Sequence, residues 1–196
     1  MCSEILMTRA YNMKKRAEQQ SETHQRIVEA AVDLHSTVGP ARTTFSMLAE
    51  HAGVQRHTVY AHFPDERSLF MACSALHMER EPMPNAEAWR KIANREERLR
   101  TGLRALYDWY ERNESIAGCI LRDIEVHDVL REIAAIRFVP HLMACEQVLG
   151  VGLGARQKAM LHLAIGYYTW RSLARASGLK TAAAVDTMVK AIIGAK

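Results

Sequence analysis

Residues 43–63, TTFSMLAEHAGVQRHTVYAHF, predict two short helices joined by a tight turn. Thr44 can cap the first helix, because its hydroxyl can accept a hydrogen bond from an unpaired N–H of the first turn. The apolar residues that follow recur at helical spacing: Phe45, Leu48, Ala49 and Ala52. Gly53 stands where a left-handed residue ends a helix, and Val54 can return to the core.

The second helix of this stretch has few apolar positions and many polar ones. Val59 and Phe63 are four residues apart and form its buried side. The residues left to point outward carry hydrogen-bonding groups: Arg56, His57, Thr58, Tyr60 and His62. A short helix with such an outward face suits the major groove of DNA, so the stretch predicts a helix-turn-helix.

The composition of the whole chain favours an all-α protein. Its 196 residues include only 10 Gly and 5 Pro, and no segment shows the alternating pattern of a β-strand. The net charge is +4, but residues 1–80 carry nine Lys and Arg against nine Asp and Glu. The positive excess therefore lies in residues 81–196, and a DNA-binding surface before them must depend on a few well-placed groups rather than on bulk charge.

The four cysteines are scattered and show no metal-binding spacing: Cys2, Cys73, Cys119 and Cys145. With no signal peptide, this pattern predicts reduced thiols in a cytoplasmic protein, and no metal or cofactor is expected. The longest apolar run, residues 159–170, is interrupted by His162 and is too short to span a bilayer.

We predict three parts along the chain. Residues 1–20 form a flexible arm, residues 21–80 form the helix-turn-helix domain with a connecting helix, and residues 81–196 form a second helical domain. The basic run 9–16 of the arm lies along a phosphate backbone, enters a minor groove or stays free in solvent. Outside the quoted stretch, helices are predicted at about residues 23–38, 65–80, 94–113, 114–126, 128–149 with a kink at Pro140, 155–177 and 181–193.

Residues 43–70 resemble the DNA-binding signature of the TetR (tetracycline repressor) family of bacterial transcription regulators. The similar positions run from Thr44 to Leu69 and include Ala52-Gly53-Val54 and the run from Thr58 to Pro64. The resemblance implies a homodimer in which residues 81–196 bind a small organic effector and form the subunit contact. In such proteins the effector changes the separation of the two recognition helices, which must match half-sites about one helical turn, roughly 34–36 Å, apart. The implied function is a ligand-responsive regulator, most often a repressor, of a palindromic operator in double-stranded DNA.

The same resemblance assigns DNA contacts to seven residues: Thr44 and Ser46 on the first helix, Arg56, His57 and Thr58 at the front of the recognition helix, and Tyr60 and His62 as phosphate ligands. Arg56 is the expected base reader, because one guanidinium can bond guanine O6 and N7 together. Taken alone, Tyr60 and His62 would be ordinary surface residues, but within this pattern phosphate contact is favoured.

Two positions depart from the family pattern. Gln55 stands where a Ser or Thr often caps the recognition helix. Glu66 stands where the family usually has a phosphate-binding Lys, and its carboxylate would repel the backbone. Arg67 could replace that Lys only in part. We therefore expect weaker affinity for the DNA backbone at this point.

The candidate ligand-binding residues of the second domain are mostly aromatic or titratable: Tyr107, Tyr110, Cys119, Arg122, Asp123, His127, Phe138, His141, His162 and Tyr167. Each has an alternative role in the core or in a dimer interface. Asp123 and His127 would share one helix face if that helix continues, either as a ligand-orienting pair or as a capping cluster. The small residues Ala164, Gly166 and Ala174 allow close helix approach, in a four-helix dimer interface or within one chain.

Two other functions compete with DNA binding. An enzyme is disfavoured, because the sequence has no phosphate-binding loop, nucleophile elbow or metal signature, and no catalytic residue is predicted. A redox sensor could use Cys119 or Cys145, and Arg122 lies one helical turn from Cys119.

Overall fold

The computed structural model describes the backbone of residues 2–195 and the side chains of residues 13–195. Within this part of the chain there is no strand, and the all-α prediction is confirmed. The helices are α1 (Cys2–Thr37), α2 (Phe45–Ala52), α3 (Arg56–His62), α4 (Glu66–Arg80), α5 (Arg95–Arg112), α6 (Glu114–Asp123), α7 (Asp128–Arg137), α8 (Val139–Leu149), α9 (Ala155–Ala164), α10 (Tyr167–Arg171) and α11 (Thr181–Gly194). Short 3₁₀ helices cover Pro40–Arg42 and Ala86–Lys91.

Helix α1 begins at Cys2, whereas we predicted a flexible arm over residues 1–20 and a first helix from about residue 23. That placement of the helix start is wrong. No Gly or Pro occurs before Gly39, and the segment is rich in strong helix formers that continue the helix without an apolar stripe. Among the described side chains, Lys14 and Glu18 form an exposed i,i+4 pair at 4.0 Å. The side chain of Arg9, in the basic run, lies outside the described residues.

The two helices of the quoted stretch form as expected. The Thr44 hydroxyl caps α2 by accepting from the Met47 N–H at 3.2 Å, and Gly53 has the left-handed φ of 64° that ends this helix. Helices α1 to α4 enclose one apolar core, in which Ile27, Leu48 and Val59 have no exposed surface. This core holds α3 by one side and leaves its other side open to solvent.

A second core is built around α5, whose Leu99, Leu103 and Leu106 are completely buried. Helices α8 to α11 pack against it, with α11 along α5. Two long predicted helices are interrupted here. The segment 128–149 divides at Phe138, because Pro140 lacks an N–H and fits only the first turn of α8. The segment 155–177 divides at Gly166 and ends in a π-helical turn over Ser172–Ala176.

Helices of the second half of the chain pack directly against the N-terminal core. Leu130 and Ile133 of α7 belong to the N-terminal core, although they follow it by more than fifty residues. The end of α6 is bound to the end of α1: the Asp123 carboxylate accepts from the Ala41 N–H at 3.0 Å, and Arg122 donates to the Val38 carbonyl at 3.2 Å. The second half of the chain therefore contacts both α1 and α4 directly. Among residues 2–195, no helix has both the length and the apolar character needed to cross a membrane.

Candidate nucleic-acid interface and buried cavity

The outward face of α2 and α3 presents an arginine that rests on an aromatic pair. The Arg56 guanidinium lies 5.5 Å from the centre of the Tyr60 ring and donates to the Tyr60 hydroxyl at 3.2 Å. The Tyr60 ring in turn contacts Phe45 of α2, with ring centres 4.8 Å apart. One N–H of the five on Arg56 is used in this way, so the guanidinium is oriented and still has donors to offer.

The remaining predicted DNA contacts differ in exposure. Thr44, Ser46 and His57 are exposed, whereas Thr58 and His62 are half-buried. The His62 ring lies 5.8 Å from that of His24 on α1. Burial, and then the nearby His24, lower the pKa of His62. At neutral pH this ring is therefore uncharged, and it offers a hydrogen bond rather than a positive charge.

The two departures from the family pattern have distinct structural outcomes. Gln55 precedes α3 without a side-chain capping hydrogen bond, so the recognition helix starts uncapped by its own side chain. Glu66 is bound within the chain, since its carboxylate lies 3.4 Å from His127 Nε2. Arg67, the partial replacement for the family lysine, is paired with Glu132 of α7 at 2.6 Å. The first turn of α4 is thus tied to α7 by both side chains.

Behind α4 lies a cavity of about 460 Å³, which we call the large cavity. Helices α4 to α10 contribute to its wall, which is mostly apolar. Four of the predicted ligand-binding residues lie on this wall: Tyr110, Phe138, His162 and Tyr167. The Tyr110 hydroxyl donates to the Ile165 carbonyl at 2.6 Å, and burial raises the pKa of this phenol. Its ring therefore supplies apolar surface, while its hydroxyl holds the break between α9 and α10.

The other six predicted ligand-binding residues lie away from the large cavity: Tyr107, Cys119, Arg122, Asp123, His127 and His141. Tyr107 is fully buried and donates to the Ala164 carbonyl at 2.9 Å. Cys119 contacts the Ser36 carbonyl at 3.8 Å, beside the Arg122–Asp123 clamp on α1. His127 lies at the start of α7, and His141 lies on α8.

His127 and Asp123 do not share a helix face, because α6 ends at Asp123. The His127 Nδ1 accepts from the Leu130 N–H at 3.3 Å and so caps α7. Of the two alternatives for this pair, the capping one matches the geometry. His141 is exposed on α8.

Sequence reasoning missed several wall residues, of which His77 is the most informative. It lies on α4 with only 8 % of its surface exposed, and burial lowers the pKa of its imidazole. Its position four residues after Cys73 on the buried stripe of α4 was a signal that the sequence contained. Thr169 also lines the wall. Within the described residues, no group of His, Cys, Asp and Glu side chains could hold a metal ion.

The comparisons with known proteins agree with this architecture. Residues 27–73 match the family model of bacterial regulatory proteins of the tetR family, which confirms the resemblance stated from the sequence. No similarity to a curated protein sequence was found. Solved structures share the fold over nearly the whole chain, three of them as follows.

The first is a Clostridium perfringens protein named as a candidate fatty acid metabolism regulator, with 14% identity and a TM-score of 0.64 over 87% of this chain and 98% of that one. HlyIIR, a hemolysin II transcriptional regulator, has 15% identity and a TM-score of 0.64 over 88% and 97%. FadR from Bacillus subtilis, solved with stearoyl-CoA, has 18% identity and a TM-score of 0.60 over 88% and 98%. At these identities the likeness is one of fold.

Proposed function

We propose that this chain, whose residues 27–73 match the tetR family, is a ligand-responsive transcriptional regulator and not an enzyme. In this proposal it acts in the cytoplasm, binds a palindromic operator as a homodimer, and releases it when a small organic effector fills the large cavity. Repression is the expected outcome of binding, as in most of the family.

The observation that carries the proposal is the position of α4. Its first half, with Leu69, Phe70 and Cys73, belongs to the core that holds α2 and α3. Its last turn places His77 on the wall of the large cavity. One rigid helix therefore touches both the support of the recognition helix and the candidate effector site, which is the contact that a switch requires.

The DNA-binding role is assigned to the outward face of α2 and α3. Arg56 would read a base edge from its position on Tyr60, and the exposed Thr44, Ser46 and His57 would contact backbone or bases. Tyr60 and His62 would donate single hydrogen bonds to phosphates, and Thr58 would face the DNA from the front of α3. Since residues 1–80 have no net charge, these aimed groups and the N-terminal amides of the helices must provide most of the affinity.

A homodimer is proposed from the family resemblance and from exposed apolar side chains on the last helices. Leu163 and Tyr168 are each about half exposed, at 56% and 51%, and lie beside the mouth of the large cavity. Ala164, one of the small residues considered for a dimer contact, is fully buried within its own chain. The mostly apolar wall favours an apolar effector, and FadR, which was solved with stearoyl-CoA, has the same fold.

The test is a gel shift of the chain on the DNA that flanks its own gene, with and without reductant. The expected result is a discrete complex that contains two subunits on a palindromic site and forms under both conditions. Unrelated DNA of the same length is the control. Equal binding to both DNAs would contradict the proposal, and release only on oxidation would favour the redox alternative.

One observation weighs against that alternative for Cys145. Its thiol is fully buried, and burial raises its pKa to about 11. A sensor thiol needs the opposite, a lowered pKa and access to the oxidant.

A further inference from the structure

We propose that the effector site continues past His77 into a smaller chamber beneath α1, and that the effector is an elongated apolar molecule with a neutral terminal hydroxyl that binds there. This inference rests on the proposed function, because it names the chemistry of the ligand that would fill the large cavity. It also adds a contact between that ligand and the DNA-binding half of the chain.

The smaller chamber has a volume of about 30 Å³ and shares part of its wall with the large cavity. Five residues line both spaces: His77, Ile116, Ile120, Ala134 and Phe138. A space of this size has room for about two groups as large as a hydroxyl. It can therefore hold the end of a ligand, while the large cavity holds the rest.

The far wall of the small chamber carries a buried polar atom that has no partner. His35 of α1 lines the chamber and has only 3% of its surface exposed. Its Nδ1 lies 3.5 Å from the Cys73 sulfur, and its Nε2 is buried without a hydrogen-bond partner. No group of the chain bonds this nitrogen, so a ligand that donates a hydrogen bond to it satisfies a buried acceptor.

The two imidazoles select against charged groups. Burial lowers the pKa of His35 to about 4, and it also lowers that of His77, so both rings are neutral at physiological pH. A carboxylate or an ammonium group would have to be buried beside neutral rings and apolar walls. The Cys73 thiol donates to the Phe70 carbonyl at 3.4 Å, so its sulfur can accept from His35 Nδ1 and leave Nε2 as an acceptor. A hydroxyl can donate to Nε2, and it can also accept if the other tautomer is present.

The small chamber lies between the N-terminal and the C-terminal halves of the chain. Val32 and His35 of α1 and Phe70 and Cys73 of α4 form one side, and side chains of α6 and α7 form the other. A group seated here would contact both α1 and α4, and would change the packing of the helices that support α2 and α3. An effector that reached only the large cavity would touch α4 but not α1.

The experiment compares two ligands of the same chain length, decan-1-ol and decanoate, with the full-length protein. Trp109 lines the large cavity, so its fluorescence reports binding of either probe, and calorimetry gives the affinities. We expect decan-1-ol to bind about tenfold or more tightly than decanoate. Equal affinities, or tighter binding of decanoate, would overturn the inference.

The variant His35→Leu removes the nitrogen at the end of the chamber. It should still fold, because Nε2 has no partner within the chain and the contact of Nδ1 with the Cys73 sulfur is a weak one; circular dichroism checks this. We expect it to bind decan-1-ol about tenfold more weakly, the effect of one hydrogen bond. The control is His51→Leu, which changes a half-exposed histidine on α2. An unchanged affinity for decan-1-ol in His35→Leu would overturn the inference.

A direct readout separates ligand contact from an indirect effect on folding. In ¹⁵N-histidine spectra, decan-1-ol should shift the His35 ring resonance, which is assigned by its absence in His35→Leu, and should leave His51 unchanged. A His35 resonance that does not move would mean that the chamber holds water only. Operator binding measured on the same preparations keeps the two proposals apart: if DNA binding is intact and decan-1-ol fails these tests, only the chamber is refuted.

Discussion

The face of α2 and α3 and the cavity behind α4 use side chains in opposite ways. On the face, Arg56 and Tyr60 are exposed, and the core beneath them is complete without their polar groups. Around the cavity, Trp109, Tyr110 and Tyr167 are buried, and each forms a hydrogen bond that holds a neighbouring segment. A substitution on the face should therefore change DNA binding without changing stability. A substitution in the cavity wall should change both ligand binding and stability.

The largest expected effect is on the cavity side of this comparison. Trp109→Ala should lower the free energy of unfolding by about 3–5 kcal/mol, because it removes a buried ring that has 4% exposure. It also leaves the Glu81 carbonyl without the indole N–H that reaches it at 3.1 Å. Urea denaturation followed by circular dichroism measures the loss. A change below 1 kcal/mol would mean that the wall is not part of the second core.

On the face, Arg56→Ala should cost about 1–3 kcal/mol of operator affinity, the value of a bidentate contact to a base. The urea midpoint should stay the same, since the side chain is exposed. The matched control is Arg104→Ala, which removes the same charge from an exposed position on α5. If both variants lose equal affinity, Arg56 contributes only bulk charge and reads no base.

Between the two regions, Asp123→Asn tests the clamp of α6 on α1. Burial alone would raise the pKa of Asp123, but hydrogen bonds from Arg122 and the Ala41 N–H outweigh it and lower the pKa below its ordinary value. The carboxylate therefore stabilises the folded state above a pH of about 4. This contribution is lost as the pH falls through the lowered pKa of Asp123. We expect Asp123→Asn to unfold more easily at neutral pH by about 1–3 kcal/mol.

The same variant should differ little from the wild type in strong acid, where the carboxyl is protonated in both states. Urea midpoints measured from pH 7 down to pH 2 give the comparison. A difference that stays constant over that range would show that the charge of Asp123 does not matter.

The smallest expected effect concerns the first turn of α4. Glu66→Lys removes a carboxylate near the proposed DNA backbone and should raise operator affinity at fixed salt by less than tenfold. It also breaks a partly exposed pair with His127, which is worth about 0–1 kcal/mol. Glu66→Gln is the control that removes the charge without adding one. No gain for Glu66→Lys would show that this position does not face phosphate.

These two regions also differ in how far the sequence predicts them. Helices α2 and α3, the Thr44 cap and the Gly53 turn depend on neighbouring residues, and local patterns predicted them correctly. The cavity wall is assembled from seven helices, so its members depend on contacts between distant segments. Aromatic residues such as Tyr107 and Tyr110 look alike in sequence, yet only Tyr110 reaches the cavity. The sequence predicted a ligand-binding role for Arg122 and Asp123. Their actual partners, the Val38 carbonyl and the Ala41 N–H, are backbone atoms more than eighty residues away, and no local pattern shows them.

The central claim is that filling the cavity weakens DNA binding through α4 and α1. Its most direct test needs no knowledge of the effector. Ala134 of α7 lines both the large cavity and the small chamber, while its neighbour Ala135 is exposed. Fluorescence anisotropy on operator DNA should show that Ala134→Phe binds about tenfold more weakly than the wild type, a coupling of about 1–3 kcal/mol, while Ala135→Phe binds as the wild type does. An Ala134→Phe protein that remains folded and binds the operator as tightly as the wild type would contradict the account.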